Sequence, residues 1–294
     1  MRGGMITHVA ALLKGLAACG VQVAVLGHPE SLAQLRQRLA RVGAEGACST
    51  WLAVPVCDGF RPAQDVRAVR ALVRAINRLR PALVHAHGLK ASVLAAAALA
   101  CPAKAASPTG AAALVCAVHG PLPSRQAAWQ GRWEAMLAGW ALREAAAVVV
   151  VSRGLADELV RWMGGRLEVR KLAIVPNGLD PDWVGPPEPA CPARAGTGRA
   201  RGLIATCMSR LTRVKGVEVL LRAAALVDRG LPLRFWVVGD GPDRERLVRL
   251  ARQLKLAGRV RLLGFQLDPQ RVWGRSDIAV VPSEAEGFSY AALE

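Results

Sequence analysis

Short runs rich in Val, Ile and Leu alternate along the chain with longer stretches whose apolar positions return at helical spacing. The apolar runs predict strands at 21–27, 51–56, 82–86, 113–118, 146–151, 173–175, 203–206, 233–238, 260–263 and 278–281. The intervening patterns predict helices at 5–19, 31–42, 65–80, 90–101, 126–144, 153–163, 214–228, 243–256 and 268–275. Strands that are continuously apolar, with no alternation, are those a parallel sheet buries on both faces. Their regular exchange with helices predicts an α/β fold. The pattern breaks at 185–202, GPPEPACPARAGTGRARG, a Pro-, Gly- and Arg-dense stretch with no period that reads as a linker or loop. The expected architecture is therefore two Rossmann-like domains with parallel sheets: residues 1–184, a linker over 185–202, and a partial second domain over 203–294. Gly3-Gly4 ahead of a helix resembles the glycine turn that follows a first Rossmann strand, although only Met1 and Arg2 precede it. Glu294 falls where a helix is starting. Both ends are thus expected to be truncated, with the first strand and a C-terminal part missing.

Composition narrows the class. The chain has 294 residues, 52% of them hydrophobic and 21% charged, which excludes a disordered polymer. No apolar run reaches the ~18 residues of a membrane span, and no signal segment is visible. Seven cysteines without a C-x-x-C fit reduced thiols in a cytoplasm better than a disulfide framework. No cluster of His, Cys, Asp or Glu shows metal-ligand spacing, so no metal and no cofactor are expected. The net charge of +17 comes from 33 Arg and 6 Lys against 22 acids. It is spread over both halves and lacks a basic tail, so no nucleic acid is expected as partner. A phosphorylated small substrate or an anionic membrane surface suits a diffuse positive field better. Helix 65–80 carries Val66, Val69, Val73, Ile76 and Leu79 on one side and Arg67, Arg70, Arg74 and Arg78 on the rest. A helix packed on a sheet with a solvated basic face explains it; contact with anionic lipid is the alternative.

Three segments carry candidate chemistry. Pro282-Ser-Glu-Ala-Glu-Gly-Phe-Ser-Tyr-Ala-Ala-Leu-Glu294 follows the strand at 278–281 and places seven residues between Glu286 and Glu294. Amides at the mouth of a helix suit a phosphate, and carboxylates accept hydrogen bonds from sugar hydroxyls. In Met208-Ser-Arg-Leu-Thr-Arg-Val-Lys-Gly216, Arg210 and Lys215 lie past a strand end, where α/β sheets bind ligands and where cations can clamp a diphosphate. In Val237-Val-Gly-Asp-Gly-Pro-Asp243, Gly239 and Gly241 permit close backbone approach. Three histidines lie in or just past strands. His85 and His87 share one strand and are expected to point to opposite faces, His85 into the core and His87 toward the strand's carboxyl end. His119 lies at the exit of the next strand.

These segments occur in order with Val175-Pro-Asn-Gly-Leu-Asp180, Leu263-Gly-Phe265, Val84-His-Ala-His-Gly-Leu-Lys90, Val118-His-Gly120 and Val149-Val-Val-Ser152. Together they resemble the retaining glycosyltransferases of family 4, built from two Rossmann-like domains of the GT-B type, over nearly the whole chain. The resemblance implies that Glu286 holds donor-sugar hydroxyls and Glu294 the ribose of the nucleotide. It implies that Arg210 and Lys215 bind the donor diphosphate and that backbone at Gly287, Phe288 and Ser289 positions sugar and phosphates. Gly239, Gly241, Gly264 and Phe265 would line the nucleotide pocket, and Gly3 and Gly4 would approach the phosphates. His119 would face the reacting sugar and His87 the acceptor. Ser289 departs from the glycine that members often carry. The implied partners are a nucleotide diphosphate sugar and a sugar, lipid or polyprenyl-linked acceptor. The implied location is the cytoplasm or the inner face of the membrane. A truncated remnant that at most binds a nucleotide sugar is the alternative. A dinucleotide enzyme is disfavoured because no complete G-x-G-x-x-G follows a first strand.

Overall fold

The computed structural model describes residues 4–57, 59, 61–101, 112–120, 122–123, 129–180, 202–266 and 268–294, with the side chains of 129 and 130 left aside. The chain divides into two compact units, Met1–Asn177 and Gly178–Glu294. Nearly all of the linker expected at 185–202 lies outside the described residues.

The first unit runs α1 (Gly4–Ala18), β1 (Ala24–Gly27), α2 (Pro29–Ala40), β2 (Thr50–Ala53), α3 (Pro62–Leu79), β3 (Leu83–His87), α4 (Leu89–Ala100), β4 (Ala113–Val118), α5 (Trp129–Glu144), β5 (Ala147–Val150), α6 (Arg153–Met163) and β6 (Leu172–Ile174). β1 and β2 form one parallel pair, and β3-β4-β5-β6 form a second parallel sheet in chain order. Among the described residues no strand joins the two sheets. The apolar runs are buried as their composition demands: Leu114, Cys116, Ala117 and Val118 of β4 and Val148 and Val150 of β5 are all closed to solvent. Helix α1 packs through Ile6, Val9, Ala10 and Leu13, and α4 through Leu94, Ala95, Ala96, Ala98 and Leu99. The small residues of α4 let its backbone lie close against its neighbours, α3 and α5 among them.

The second unit runs β7 (Leu203–Met208), α7 (Val217–Leu226), β8 (Leu233–Val238), α8 (Arg244–Gln253), β9 (Val260–Gly264), α9 (Pro269–Trp273), β10 (Ile278–Ala279) and α10 (Tyr290–Leu293). Its sheet is parallel throughout in the order β10-β7-β8-β9. Ala205, Cys207, Leu220, Leu221, Ala224, Phe235, Val237 and Leu247 make its core. This is the α/β, parallel-sheet organisation that the alternating pattern predicts.

Three details differ from the sequence reading. The first strand begins at Ala24, because Val21 is half exposed and pairs with no partner strand. The helix expected at 214–228 begins at Val217, after a tight turn at Arg213–Lys215 and a left-handed Gly216. On α3, Val66 is 50% exposed. α3 buries Asp65, Ala68 and Ala75 most fully, and Val69 of the expected apolar side packs against the same core. Asp65 is drawn inward because it accepts from the Arg61 amide at 3.0 Å and from Lys90 Nζ at 2.5 Å. Arg67, Arg70, Arg74 and Arg78 are exposed as expected.

Candidate functional site

In a parallel sheet every crossover returns the chain to the same edge, so the loops after β7, β8, β9 and β10 gather at the strands' carboxyl ends. In the second unit they interlock through backbone. The Ser209 amide donates to Val238 O at 2.9 Å, Leu211 N to Asp240 O at 3.0 Å, and Gly239 N to Gly264 O at 2.8 Å. A Cβ on Gly239 (φ 128°) would lie 1.9 Å from Ser209 O, and one on Gly241 would lie 2.4 Å from Leu211 O. These glycines are present because backbone approaches backbone there. Gly216 does the same for the β10 loop, since its Cβ would lie 1.9 Å from Pro282 O. The Glu284 amide then donates to Val214 O at 2.9 Å.

That seam brings two of the expected residues into contact. Lys215 Nζ donates to Glu286 Oε1 at 2.6 Å, and Ser283 Oγ donates to the same oxygen at 2.7 Å. Arg210 lies on the same loop as Lys215 and its side chain is exposed. The pair is partly open, with side-chain exposures of 28% and 26%, so it is reachable by a ligand. A cation that can meet phosphate oxygens and an acid that can meet hydroxyls thus sit within hydrogen-bond distance of each other. Gly287, Phe288 and Ser289 continue the loop to α10, which spans four residues. Glu294 is held by another element: Trp273 Nε1 of α9 donates to its Oε2 at 3.5 Å. Phe265 follows β9 and is 56% exposed.

In the first unit the structure gathers four imidazoles. His85 and His87 share a face of β3, their ring centroids 4.2 Å apart, so the expectation of opposite faces is corrected. Positions i and i+2 of a pleated strand lie on the same side. His87 Nδ1 and His119 Nε2 are 3.1 Å apart. His8, which the sequence reading did not single out, completes the group: its ring lies 4.7 Å from that of His119 and 5.4 Å from that of His87. It comes from α1, four residues after Gly4 in number, and also hydrogen-bonds Asn177. Nothing in local spacing marks it, because the three elements meet only through the crossovers. Burial disfavours the charged imidazolium and pulls all four histidines below the ordinary value, His87 to about 2 and His119 to about 4; neighbouring imidazoles add to the effect at His85, His87 and His119, while Asn177 opposes it at His8. The group is therefore neutral at pH 7. Gly4 opens α1, and Gly3 lies outside the described residues.

Comparison with known proteins agrees with this organisation. The family described as Glycosyltransferase Family 4 matches residues 2–183, and that described as Glycosyl transferases group 1 matches residues 196–294. The D-inositol 3-phosphate glycosyltransferase of Rhodococcus erythropolis is 41% identical over 115 residues, 35% of this chain and 26% of that protein. The O-antigen biosynthesis glycosyltransferase WclY of Escherichia coli is 28% identical over 93 residues, 32% of this chain and 26% of that protein. These matches span about a quarter of each relative's own length. HepE of Anabaena, solved with UDP and glucose, superposes with a TM-score of 0.69 at 18% identity, over 96% of this chain and 72% of that one. At that identity it shows the fold alone, two Rossmann-like domains of the GT-B type. With more than half of its length matched by the family, the chain belongs to Glycosyltransferase Family 4.

Proposed function

We propose that this chain carries the catalytic machinery of a retaining glycosyltransferase, which moves a sugar from a nucleotide diphosphate donor to an acceptor in glycolipid, polysaccharide or cell-envelope synthesis. The observation that carries this reading is the Lys215–Glu286 bond of 2.6 Å at the carboxyl edge of the second sheet. It joins a diphosphate-binding cation to the first acid of the E-x7-E pair across 71 residues of sequence. Family membership supports the reaction class. The names of relatives, among them an O-antigen glycosyltransferase, support envelope polysaccharide as the destination. The UDP and glucose bound by HepE support a nucleotide sugar as donor.

Arg210 and Lys215 are assigned to the donor diphosphate. Their charge stabilises the developing diphosphate as the anomeric carbon–oxygen bond breaks. Glu286 is assigned to the sugar hydroxyls, which displace its bond to Lys215, and Glu294 to the ribose. Backbone at Gly239, Gly241, Gly264 and Gly287, with Phe265, Phe288 and Ser289, is assigned to the nucleotide and sugar. The acceptor hydroxyl attacks the same face that the diphosphate leaves. The new carbon–oxygen bond replaces the broken one, and the hydroxyl proton passes to a leaving phosphate oxygen. Such a route needs no separate general base. His119 is assigned to the transferred sugar, His87 to the acceptor, and Gly3 and Gly4 to the phosphates.

The test is transfer from a panel of radiolabelled nucleotide sugars, with donor hydrolysis followed in parallel. Lys215→Ala and Glu286→Ala are each expected to lower turnover at least about 100-fold, the scale of losing one transition-state charge partner. Near-normal turnover in both defeats the assignment.

A further inference from the structure

We propose that Arg246 is a positioning residue for Lys215: by bridging to Glu218 it fixes the turn that presents Lys215, and so sets how tightly the second unit holds a diphosphate. The inference rests on the donor role proposed for Lys215 and adds a residue that acts through another.

Arg246 is the third residue of α8. The positive end of a helix dipole disfavours a cation there, so α8 alone gives no reason for an arginine at this position. Its partners supply one. Arg246 Nη1 donates to Glu218 Oε2, and Nη2 donates to Asp243 Oδ2 at 3.3 Å. Glu218 stands in the first turn of α7, three residues past Lys215. Its other oxygen, Oε1, accepts from Arg222 Nε at 3.1 Å and Nη2 at 2.8 Å. Both oxygens of Glu218 are therefore taken, one from α7 itself and one from α8.

The turn Arg213–Lys215 buries no residue, so core packing does not place it. Its own bonds run from Lys215 N to Thr212 O at 3.1 Å and from Gly216 N to Arg213 O at 3.0 Å. Its place relative to the rest of the sheet edge is set by anchors on either side. β7 lies between β10 and β8 in the sheet. On the β10 side the Glu284 amide holds Val214 O at 2.9 Å. On the β8 side Leu211 N donates to Asp240 O at 3.0 Å and Asp243 N donates to Leu211 O at 3.1 Å, four residues before Lys215. The Arg246–Glu218 bridge closes the same side three residues after it. One guanidinium thus joins Asp243, which meets the start of the loop, to Glu218, which follows its end. The two side chains are each 33% exposed, so the expected effect is several-fold and falls well short of abolition.

The test uses the full chain, with its 6 lysines carrying carbon-13 at Cε and with inorganic pyrophosphate as the probe. Lys215→Arg assigns the Lys215 signal. In Arg246→Met that signal is expected to move while the other lysines keep theirs, and the pyrophosphate dissociation constant by calorimetry is expected to rise about 5-fold. Arg246→Lys keeps a cation against Glu218 and should preserve both readings. Arg249→Met removes the same charge three residues further along α8 and should leave both unchanged. An unmoved Lys215 signal in Arg246→Met overturns the inference. So does a shift of every lysine signal together, which means general loosening, or an equal loss of affinity in Arg249→Met, which means that net charge alone is responsible. Pyrophosphate that does not bind the unmutated chain defeats the donor role of Lys215 and this inference with it; an unmoved Lys215 signal beside normal binding defeats this inference alone.

Discussion

A Cβ atom on Gly216 would sit 1.9 Å from Pro282 O, whereas one on Gly258 would meet nothing within 4 Å; both residues have positive φ. The same substitution therefore isolates the cost of the seam. Gly258→Ala should cost about 1 kcal/mol in backbone strain. Gly216→Ala should cost about 3 kcal/mol or more, because a carbonyl must also move. Urea unfolding of both variants checks it, and equal midpoints would show that the seam is not under this constraint. The histidines give a second expectation at this scale. In the unfolded chain they take a proton near pH 6.5, while in the fold His119 waits until about 4 and His87 until about 2. Between those limits the unfolded state binds more protons. Stability is thus fully present above pH 6.5 and falls as the pH drops toward 4, by up to ~1.4 kcal/mol per pH unit for each such histidine. The groups facing the pair are His8 and His85, both also pulled downward, with Asn177 on His8 opposing. Urea unfolding at pH 7, 6 and 5 measures the slope. A flat profile would mean that the imidazoles are solvated. His119 and Lys215 were legible in the sequence because each follows an apolar strand at its carboxyl end. His8 was not, because it lies mid-helix with no local mark.

Helices and strands were the most legible part of the chain. β4 and β8 match their apolar runs, and α6 matches its amphipathic stretch. Each has boundaries set by local chemistry. Ser152 Oγ caps α6 by accepting from Leu155 N at 3.2 Å, and Gly164 ends the helix in the left-handed conformation. Ser152→Ala should therefore cost about 1 kcal/mol, or a few degrees in Tm, with the fold retained. A scanning calorimetry trace unchanged by the substitution would show that the cap contributes nothing. On α3 the reading of Val69 as inward holds, but Val66 is exposed and its neighbour Asp65 is buried in its place. Asp65 is buried through its bonds to the Arg61 amide and Lys90, and an apolar pattern is blind to such a pair. Between α7 and α8, Glu218 accepts from both Arg246 and Arg222, and these hydrogen bonds, with the guanidinium charges behind them, hold its carboxyl down to about 2.

For the whole molecule, the charge of +17 is the property that no single site explains. No helix among the described residues is long and apolar enough to cross a membrane. The exposed arginines of α3 present a basic face instead. If this face meets anionic lipid, as the proposed acceptor class invites, the chain should co-sediment with anionic vesicles and be released as salt rises. Equal binding to neutral and anionic vesicles removes that idea. The sequence by itself determined the α/β class, the parallel sheets, the order of elements and the strand-end loops that carry Lys215 and Glu286. Those properties follow from periodicity and turn chemistry, which act over a few residues. Tertiary structure alone decided that β1 and β2 pair apart from β3–β6 and that Gly216 closes on Pro282. It also decided that imidazoles from α1, β3 and the exit of β4 meet. Each of these depends on where a crossover returns the chain, and side chains that meet by that route leave no period to read.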